Sequence, residues 1–220
     1  MPPTEPYYQA DGITLYLGDC LTVTEWLAAD VLVTDPPYGL NDVGGQWDAD
    51  AGARFVIAND RDTTARDAAL AAWGSVKPAA VFGSPKVPCP TGVRQALVWR
   101  KDASAGLMGT VAGFRRDWEA IYLLGALPAR SGTRSAVLES RVRQEPNGHR
   151  HAKPVGIVEQ LIEAVGPGVI ADPFAGSGST LIAARNLGRQ AIGVEIEERY
   201  CELIARRLSQ GALFTTEAAK

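Results

Sequence analysis

VIADPFAGSGST, residues 169–180, is the stretch from which the fold can be predicted. An apolar strand over Val169–Ala171 leads into a turn that contains Gly176 and Gly178, and a helix begins at about Thr180. Glycine allows a backbone to approach a ligand without a Cβ in the way, and strand-turn-helix units bind nucleotides at the helix N-terminus. The segment therefore predicts an α/β protein with a nucleotide-type site at this turn.

Strand-like and helix-like runs alternate through most of the chain, which is typical of a doubly wound, mostly parallel sheet covered by helices. We predict strands over Ile13–Leu17, Val31–Thr34, Ala79–Phe82, Ala96–Trp99, Ala120–Leu124, Val169–Ala171 and Ala191–Val194. Predicted helices cover Arg61–Trp73, Val155–Val165, Thr180–Leu187 and Glu197–Leu208.

Size and composition favour one domain over residues 1–220, since 46% of the residues are hydrophobic and the length supports a substantial core. The three cysteines are widely separated, so they predict neither a disulfide framework nor a zinc site. We expect no metal. The chain shows no secretory signal and no membrane-length apolar run, so we expect a soluble, cytoplasmic protein.

Charge is unevenly distributed. The net charge is −3, yet residues 100–153 hold ten Lys or Arg against five Asp or Glu. Within this part, residues 128–150 are rich in Arg, Ser and Gly and read as an inserted loop, a kind of segment that is uncommon in compact domains unless it has a function. Either its arginines decorate a solvated loop or they contact nucleic-acid phosphates. They are Arg130, Arg134, Arg141, Arg143 and Arg150.

Two acids are candidates for holding a nucleoside. Glu195 follows the strand that comes after the glycine turn, about 20 residues on, where a carboxylate meets ribose hydroxyls. Asp19 follows the first strand and is a candidate acceptor for an adenine amino group. Taken singly, Glu195 is also an ordinary strand-end acid and Asp19 an ordinary turn residue. The dinucleotide fingerprint requires a third glycine where this chain has Leu181, which argues against NAD.

A second motif, Asp35-Pro36-Pro37-Tyr38, follows the predicted strand Val31–Thr34. Two prolines stiffen the backbone, so Asp35 and the carbonyl of Pro36 form a rigid pair of acceptors for the two hydrogens of an exocyclic amine. Tyr38 offers a flat face on which a base can stack. The alternative is a polyproline-like turn after a buried strand, which does not account for all four residues together.

With these motifs the chain resembles the S-adenosylmethionine-dependent DNA amino-methyltransferases, specifically the permuted beta group of N6-adenine type. The catalytic tetrapeptide precedes the glycine turn, as in that group. Other matching pieces occur in order, and the resemblance runs from about Gly18 to Leu208. These pieces are Leu17-Gly18-Asp19, Trp99-Arg100-Lys101, Asp117-Trp118-Glu119-Ala120-Ile121 and His149-Arg150-His151-Ala152-Lys153-Pro154.

The resemblance implies a Rossmann-like methyltransferase fold, S-adenosylmethionine as the cofactor, and catalytic roles for Asp35, Pro36, Pro37 and Tyr38. The residues it assigns to the cofactor are Asp19, Lys153, Asp172, Phe174, Gly176, Gly178, Thr180 and Glu195. It also implies double-stranded DNA as the partner, with the target nucleotide flipped out of the duplex, as in enzymes of restriction-modification systems.

The family's recognition region is often larger than residues 128–150, so base-specific readout is either relaxed here or completed by a second subunit of a homodimer. Where family members have His-Pro-Thr-Gln-Lys-Pro, this chain has Arg150, His151 and Ala152 between His149 and Lys153. Aspartate at position 35 resembles the adenine version of the tetrapeptide. The alternatives are an N4-cytosine DNA methyltransferase, an RNA or protein-amide methyltransferase, and a catalytically silent DNA-binding module of the same fold.

Overall fold

The computed structural model of the protein describes residues 5–40, 43–48, 53–56, 58–101, 112–129, 134–139 and 152–217. Its strands are β1 Tyr8–Ala10, β2 Ile13–Leu17, β3 Val31–Thr34, β4 Val43–Asp48, β5 Ala53–Val56, β6 Ala79–Gly83, β7 Val93–Arg100, β8 Trp118–Leu124, β9 Val137–Glu139, β10 Ile170–Asp172 and β11 Ala191–Glu195. Its α-helices are α1 Thr64–Trp73, α2 Val155–Val165, α3 Ser179–Asn186 and α4 Glu198–Glu217, and a short 3-10 helix covers Glu25–Ala28.

Nine of the described strands form one sheet, in the order β1-β2-β11-β10-β3-β6-β8-β7-β9. The five strands from β2 to β6 in this order run parallel to one another. Strand β8 is antiparallel to both β6 and β7, and β1 is antiparallel to β2 at the opposite edge. Strands β4 and β5 pair separately. The predicted α/β fold with a mostly parallel sheet is confirmed.

Both faces of the sheet are covered because the central strands are apolar on both sides. In β3, Val31 and Val33 point into a core that includes the buried faces of α2, α3 and α4. Leu32 points to the other side, where it joins a second core with Trp26 of the 3-10 helix and Trp73 of α1. Successive side chains of one strand thus pack against helices on opposite faces of the sheet, which is the doubly wound arrangement.

The predicted positions of β2, β3 and α2 match the structure residue for residue, and the other predicted elements shift at their ends. Helix α4 continues to Glu217, beyond the predicted end at Leu208. The sequence patterns missed β1, β4, β5, β9 and the 3-10 helix. Strand β9 lies within residues 128–150, which we predicted as a loop, and its three residues pair with the edge of β7. Three residues are too few to show a period.

Within the described part of the chain, no helix is both long and apolar enough to cross a membrane. The same part contains no group of three or more His, Cys, Asp or Glu arranged to hold a metal ion. The three cysteines, Cys20, Cys89 and Cys201, are free thiols.

Replacing Leu161 by alanine is expected to destabilise the protein by about 2–5 kcal/mol, because this side chain is 1% exposed where α2 packs on the sheet. The matched control is Leu21→Ala, which truncates a leucine that is 47% exposed and is expected to cost under about 1 kcal/mol. Urea unfolding followed by circular dichroism measures both. Equal losses for the two variants would contradict the assignment of α2 to the core.

Candidate active site

The two motifs meet because the carboxyl ends of parallel strands lie at the same edge of a sheet. Strand β3 pairs with β10, with Val31 opposite Ile170, so Asp35 and Asp172 both lie just where their strands end. The Thr34 hydroxyl donates a hydrogen bond of 2.7 Å to Asp172 Oδ1, and both side chains are buried. This bond joins the tetrapeptide strand directly to the strand before the glycine turn.

A cavity of about 190 Å³ opens at this edge. It is lined on one side by the whole tetrapeptide, residues 35–38, and on the other by residues 172–177 of the glycine turn. Asp19, Lys153 and Glu195 line it too. The two segments, separated by more than a hundred residues in sequence, therefore share one pocket.

Asp35 is bound on both of its carboxylate oxygens. Lys153 Nζ lies 2.7 Å from Asp35 Oδ2, and the Tyr38 hydroxyl lies 2.8 Å from Asp35 Oδ1. The Lys153 side chain is only 7% exposed, and its ammonium lies 5.3 Å from the ring centroids of both Tyr38 and Phe82. A buried cation between a carboxylate and two aromatic rings fixes the orientation of Asp35.

Glu119, near the start of β8, completes this cluster. Its Oε2 lies 3.2 Å from Lys153 Nζ and 3.0 Å from the Tyr38 hydroxyl oxygen, and its Oε1 lies 2.6 Å from Lys101 Nζ. The hydroxyl has one hydrogen, so Tyr38 donates to Asp35 or to Glu119 at any moment. Two carboxylates and two ammonium groups thus balance each other within the cluster.

The two carboxylates of the cluster differ in acidity. Burial raises the pKa of Asp35, and the opposing effect of Lys153 is too small to cancel it. Burial also acts to raise the pKa of Glu119, but Lys153 and Lys101 outweigh it and hold that pKa at about 2. Burial pulls the pKa of Lys153 down, whereas Asp35 and Glu119 push it up by more, so the ammonium is retained. Glu119 is the permanent anion and Asp35 the more basic one.

The glycine turn is tied to Glu195 through backbone donors. Gly176 N–H donates to Glu195 Oε2 at 2.7 Å, and Glu197 N–H donates to Glu195 Oε1 at 2.8 Å. Gly176 has a φ of +51°, and a Cβ built there would meet nothing closer than 3.8 Å. The position thus keeps an open, left-handed backbone against the cavity. Burial raises the pKa of Glu195 to about 7 despite these two hydrogen bonds.

Gly178 has a different role in the structure. It has a φ of +81°, and a Cβ there would lie 2.8 Å from Ile204 Cγ1 on α4. It does not line the cavity, and its small size instead allows α3 to begin against α4. Its predicted contact with the cofactor stays a prediction.

Asp172 is the most enclosed acid of the site. It accepts hydrogen bonds from the Thr34 hydroxyl and, at 3.2 Å, from Phe174 N–H. Burial raises the pKa of Asp172 to about 6, although bonds from Thr34, Thr180 and Phe174 oppose the shift. Asp172 therefore organises the turn that carries Phe174 and Thr180, both of which line the cavity.

All the predicted catalytic residues line the cavity, and of the predicted cofactor residues only Gly178 does not. Among the five arginines assigned to DNA, Arg134 lies in the described part of the chain, where it is half exposed and 3.5 Å from Glu163 on α2. Arg130, Arg141, Arg143 and Arg150 lie outside the described residues, and so do His149 and His151. Their roles stay predictions.

Sequence reasoning assigned no role to three residues of the site. Glu119 and Lys101 enter the sequence analysis only as parts of segments that match the family. The signal that could have identified Glu119 is an acidic residue beside the apolar run of β8. Asp60 was not singled out. It accepts a hydrogen bond of 2.7 Å from Gly39 N–H and so secures the backbone just after Tyr38. No local pattern marks that contact, because it joins two loops.

The sequence model of the N6/N4 DNA methylase family matches residues 82–206, which is more than half of the chain. This chain belongs to that family. The match includes β7, β8 and the whole glycine turn, and the predicted membership is confirmed.

Two relatives match this chain over very different lengths. The type II methyltransferase M.ScaI of Streptomyces caespitosus is 41% identical over 70 residues, which is 31% of this chain and 23% of M.ScaI. The aligned part of this chain therefore spans about a quarter of that relative. The protein YubD of Escherichia coli (strain K12) is 29% identical over 92% of this chain and 97% of its own length.

Two solved structures share the fold. The complex of M1.HpyAVI with SAM has a TM-score of 0.59 and 19% identity, covering 89% of this chain and 99% of that one. PvuII DNA methyltransferase, described as cytosine-N4-specific, has a TM-score of 0.64 and 13% identity, covering 92% and 88%. At these identities the likeness establishes the Rossmann-like methyltransferase fold.

The pKa of Glu195 predicts a pH dependence of stability for this DNA methylase. Because the folded pKa is about 7 and the unfolded pKa of glutamate is about 4.3, the folded state binds the proton more tightly. The stability contributed by the protonated group is therefore complete below the unfolded pKa and is lost as pH rises through about 7.

Glu195→Gln should remove roughly 2 kcal/mol of that decline between pH 5 and pH 8, measured by urea unfolding at a series of pH values. Glu198→Gln is the control, since Glu198 is an exposed acid in the first turn of α4 and should leave the decline as it is in the parent protein. An identical pH profile in the parent protein and in Glu195→Gln would refute the shifted pKa.

Proposed function

We propose that this chain is a DNA methyltransferase that transfers a methyl group from S-adenosylmethionine to the exocyclic N6 amine of adenine in a flipped-out nucleotide. The observation that carries the proposal is the shared cavity. The amine-binding tetrapeptide at residues 35–38 and the glycine turn at residues 172–177 face each other across about 190 Å³.

The glycine-turn side suits a nucleoside with a free ribose. Each carboxylate oxygen of Glu195 accepts one backbone N–H and keeps acceptor capacity for a ribose hydroxyl. Ile196, which is 44% exposed, and Phe174 give apolar surface beside it for an adenine ring. Asp19 lies two residues after β2, where its Oδ1 accepts a hydrogen bond from Leu21 N–H and its carboxylate keeps acceptor capacity for an amino group. When bound, S-adenosylmethionine supplies an electrophilic methyl group on a sulfonium.

The tetrapeptide side suits the acceptor amine. An aromatic amine is a weak nucleophile because its lone pair is delocalised into the ring. Asp35 and the Pro36 carbonyl accept its two hydrogens, which favours a pyramidal nitrogen and aims its lone pair at the methyl carbon. As the N–C bond forms and the C–S bond breaks, the nitrogen gives up one proton. In this proposal Asp35, the more basic carboxylate of the cluster, accepts that proton.

A base inside a duplex cannot present this amine, so the nucleotide must leave the stack at a cost of a few kcal/mol. Tyr38 offsets part of that cost by stacking. Its hydroxyl lies within 3.0 Å of both Asp35 and Glu119, so the ring is held in one orientation before the base arrives. Preorganisation of this kind lowers the entropy lost on binding.

Adenine is favoured as the target by aspartate at position 35, as in the adenine version of the tetrapeptide. A relative named DNA adenine methyltransferase YhdJ, from Escherichia coli (strain K12), is 36% identical over 33% of this chain and 26% of its own length. N4-cytosine methylation is the second candidate, because the family covers N6 and N4 enzymes and the PvuII enzyme has the same fold. Nucleoside analysis of methylated DNA distinguishes the two products.

The partner is double-stranded DNA, gripped by the basic part of the chain from residue 100 to residue 153. Residues 128–150 then form a minimal target-recognition region, and base-specific readout is either relaxed or completed by a second subunit of a homodimer. We also place the enzyme in the cytoplasm, where free thiols such as the exposed Cys89 persist.

Asp35→Ala is expected to abolish methyl transfer while leaving the dissociation constant for S-adenosylmethionine within about twofold. Glu195→Ala is expected to raise that dissociation constant roughly tenfold or more, since it removes hydrogen bonds to a charged acceptor. Isothermal titration calorimetry measures binding, and transfer of a radiolabelled methyl group to double-stranded DNA, RNA and a protein substrate measures activity. Incorporation into RNA or protein instead of DNA would overturn the substrate class. Equal loss of binding and activity in both variants would overturn the division of roles.

Replacing Arg141 and Arg143 together by alanine is expected to weaken DNA binding and to make the plot of log affinity against log salt less steep by about 2, because two phosphate contacts are lost. A double variant that replaces the exposed Arg94 and Arg206 removes the same charge from β7 and α4 and is the control. Fluorescence anisotropy over a salt series gives both slopes. A parent-like slope in the Arg141 and Arg143 variant would remove these residues from the interface.

A further inference from the structure

Glu119 contacts two neighbours of Asp35 without being part of either motif. We propose that Glu119 is a positioning residue, which acts through Lys153 and Tyr38 to orient Asp35 and to keep it a strong hydrogen-bond acceptor. The proposal rests on the proposed function, since it concerns the same acceptor carboxylate.

Both carboxylate oxygens of Glu119 are engaged by residues of the cluster. One oxygen, Oε2, is shared by Lys153 Nζ at 3.2 Å and the Tyr38 hydroxyl at 3.0 Å. The other oxygen, Oε1, is held by Lys101 Nζ at 2.6 Å. The Glu119 side chain is 17% exposed and that of Lys153 is 7% exposed, so these are enclosed charges whose interactions water screens weakly.

Lys153 is the link through which Glu119 acts. Its ammonium bonds to both carboxylates, at 2.7 Å to Asp35 and 3.2 Å to Glu119. With Glu119 neutral, the whole charge of Lys153 would be directed at Asp35, which would bind the ammonium more tightly and give less to a substrate amine. Glu119 therefore shares the cation and leaves Asp35 as an active acceptor.

Tyr38 is the second link. Its hydroxyl lies between Asp35 Oδ1 at 2.8 Å and Glu119 Oε2 at 3.0 Å. These two hydrogen bonds fix the position of the Tyr38 ring, which stacks on the base, relative to the Asp35 carboxylate, which faces the amine. Loss of the Glu119 acceptor would leave the hydroxyl bound to Asp35 alone and occupy one lone pair of the acceptor permanently.

Electrostatics give independent support. Burial raises the pKa of Asp35, Lys153 lowers it, and the negative charge of Glu119 raises it. The other groups facing the pair are Lys101, which neutralises Glu119 from its outer side, and Asp172, which lies near enough to Asp35 to feel its charge. Removal of the Glu119 charge must therefore make Asp35 less basic.

Glu119→Gln tests the proposal, because it keeps the size of the side chain while it removes the charge and replaces one acceptor oxygen by an NH2 donor. We expect the pKa of the Asp35 carboxyl to fall, as followed by ¹³C NMR of aspartate-labelled protein with Asp35→Asn identifying the signal. In the DNA methylation assay, kcat should fall about tenfold to a hundredfold, with the acid limb of its pH profile displaced to lower pH. The KM for S-adenosylmethionine should stay within about twofold.

Two further variants complete the design. Glu202→Gln is the matched control, because Glu202 is an exposed acid on α4 whose carboxylate lies 3.6 Å from Arg206, and it should change none of these readouts. Glu119→Asp keeps the charge and should restore the titration of Asp35 to near that of the parent. Melting temperatures verify that all variants fold.

An unchanged Asp35 titration in Glu119→Gln would overturn the proposal, whatever happens to kcat. A fall in kcat with no displacement of the acid limb would overturn it as well, since that is the result of a merely structural role. If the parent protein methylates no DNA, the proposed function fails, and the NMR titration still decides whether Glu119 controls Asp35.

Discussion

The hydrogen bond from the Thr34 hydroxyl to Asp172 Oδ1, 2.7 Å long and buried, is the contact on which the site depends. It lies where two parallel strands end side by side, and it joins the half that handles the amine to the half that handles the nucleoside. Parallel pairing alone brings the strand ends to one edge, but this bond fixes the two turns at hydrogen-bonding distance. Displacing either turn by one residue would separate Asp35 from the cavity that faces the glycine turn.

The cavity has two electrostatic halves. On the glycine-turn side, burial raises the pKa of Asp172 to about 6 and that of Glu195 to about 7, because backbone and hydroxyl donors only partly replace water. On the tetrapeptide side, Lys153 and Lys101 hold the pKa of Glu119 at about 2, and Asp35 and Glu119 keep Lys153 charged. The glycine-turn side is thus suited to a ligand that donates hydrogen bonds to its carboxylates. The charges of the tetrapeptide side are already paired, so that side is suited to a neutral amine.

Much of the fold and of the site could be predicted from the sequence, because the motifs that indicate them are short and contiguous. The Asp35 tetrapeptide and the Gly176 turn each follow an apolar strand, and parallel strands bring their ends together, so a shared pocket followed from patterns. Strand β9 could not be predicted, because three residues carry no period. The contact of Glu119 with Lys153 could not be predicted either, since it depends on β8 running antiparallel beside β6 and on the register of that pair. Gly178 is the opposite case: it belongs to a motif that is recognisable in the sequence, yet in the structure its small size makes room for Ile204.

The account rests on one chemical claim, that this DNA methylase modifies the N6 amine of adenine in DNA. Single-molecule sequencing of DNA from a methylation-free host that expresses the chain tests it most directly. The account predicts N6-methyladenine at one recurring short sequence, absent from a host that expresses the Asp35→Ala variant. DNA without a modified base, or with N4-methylcytosine at that sequence, would contradict it.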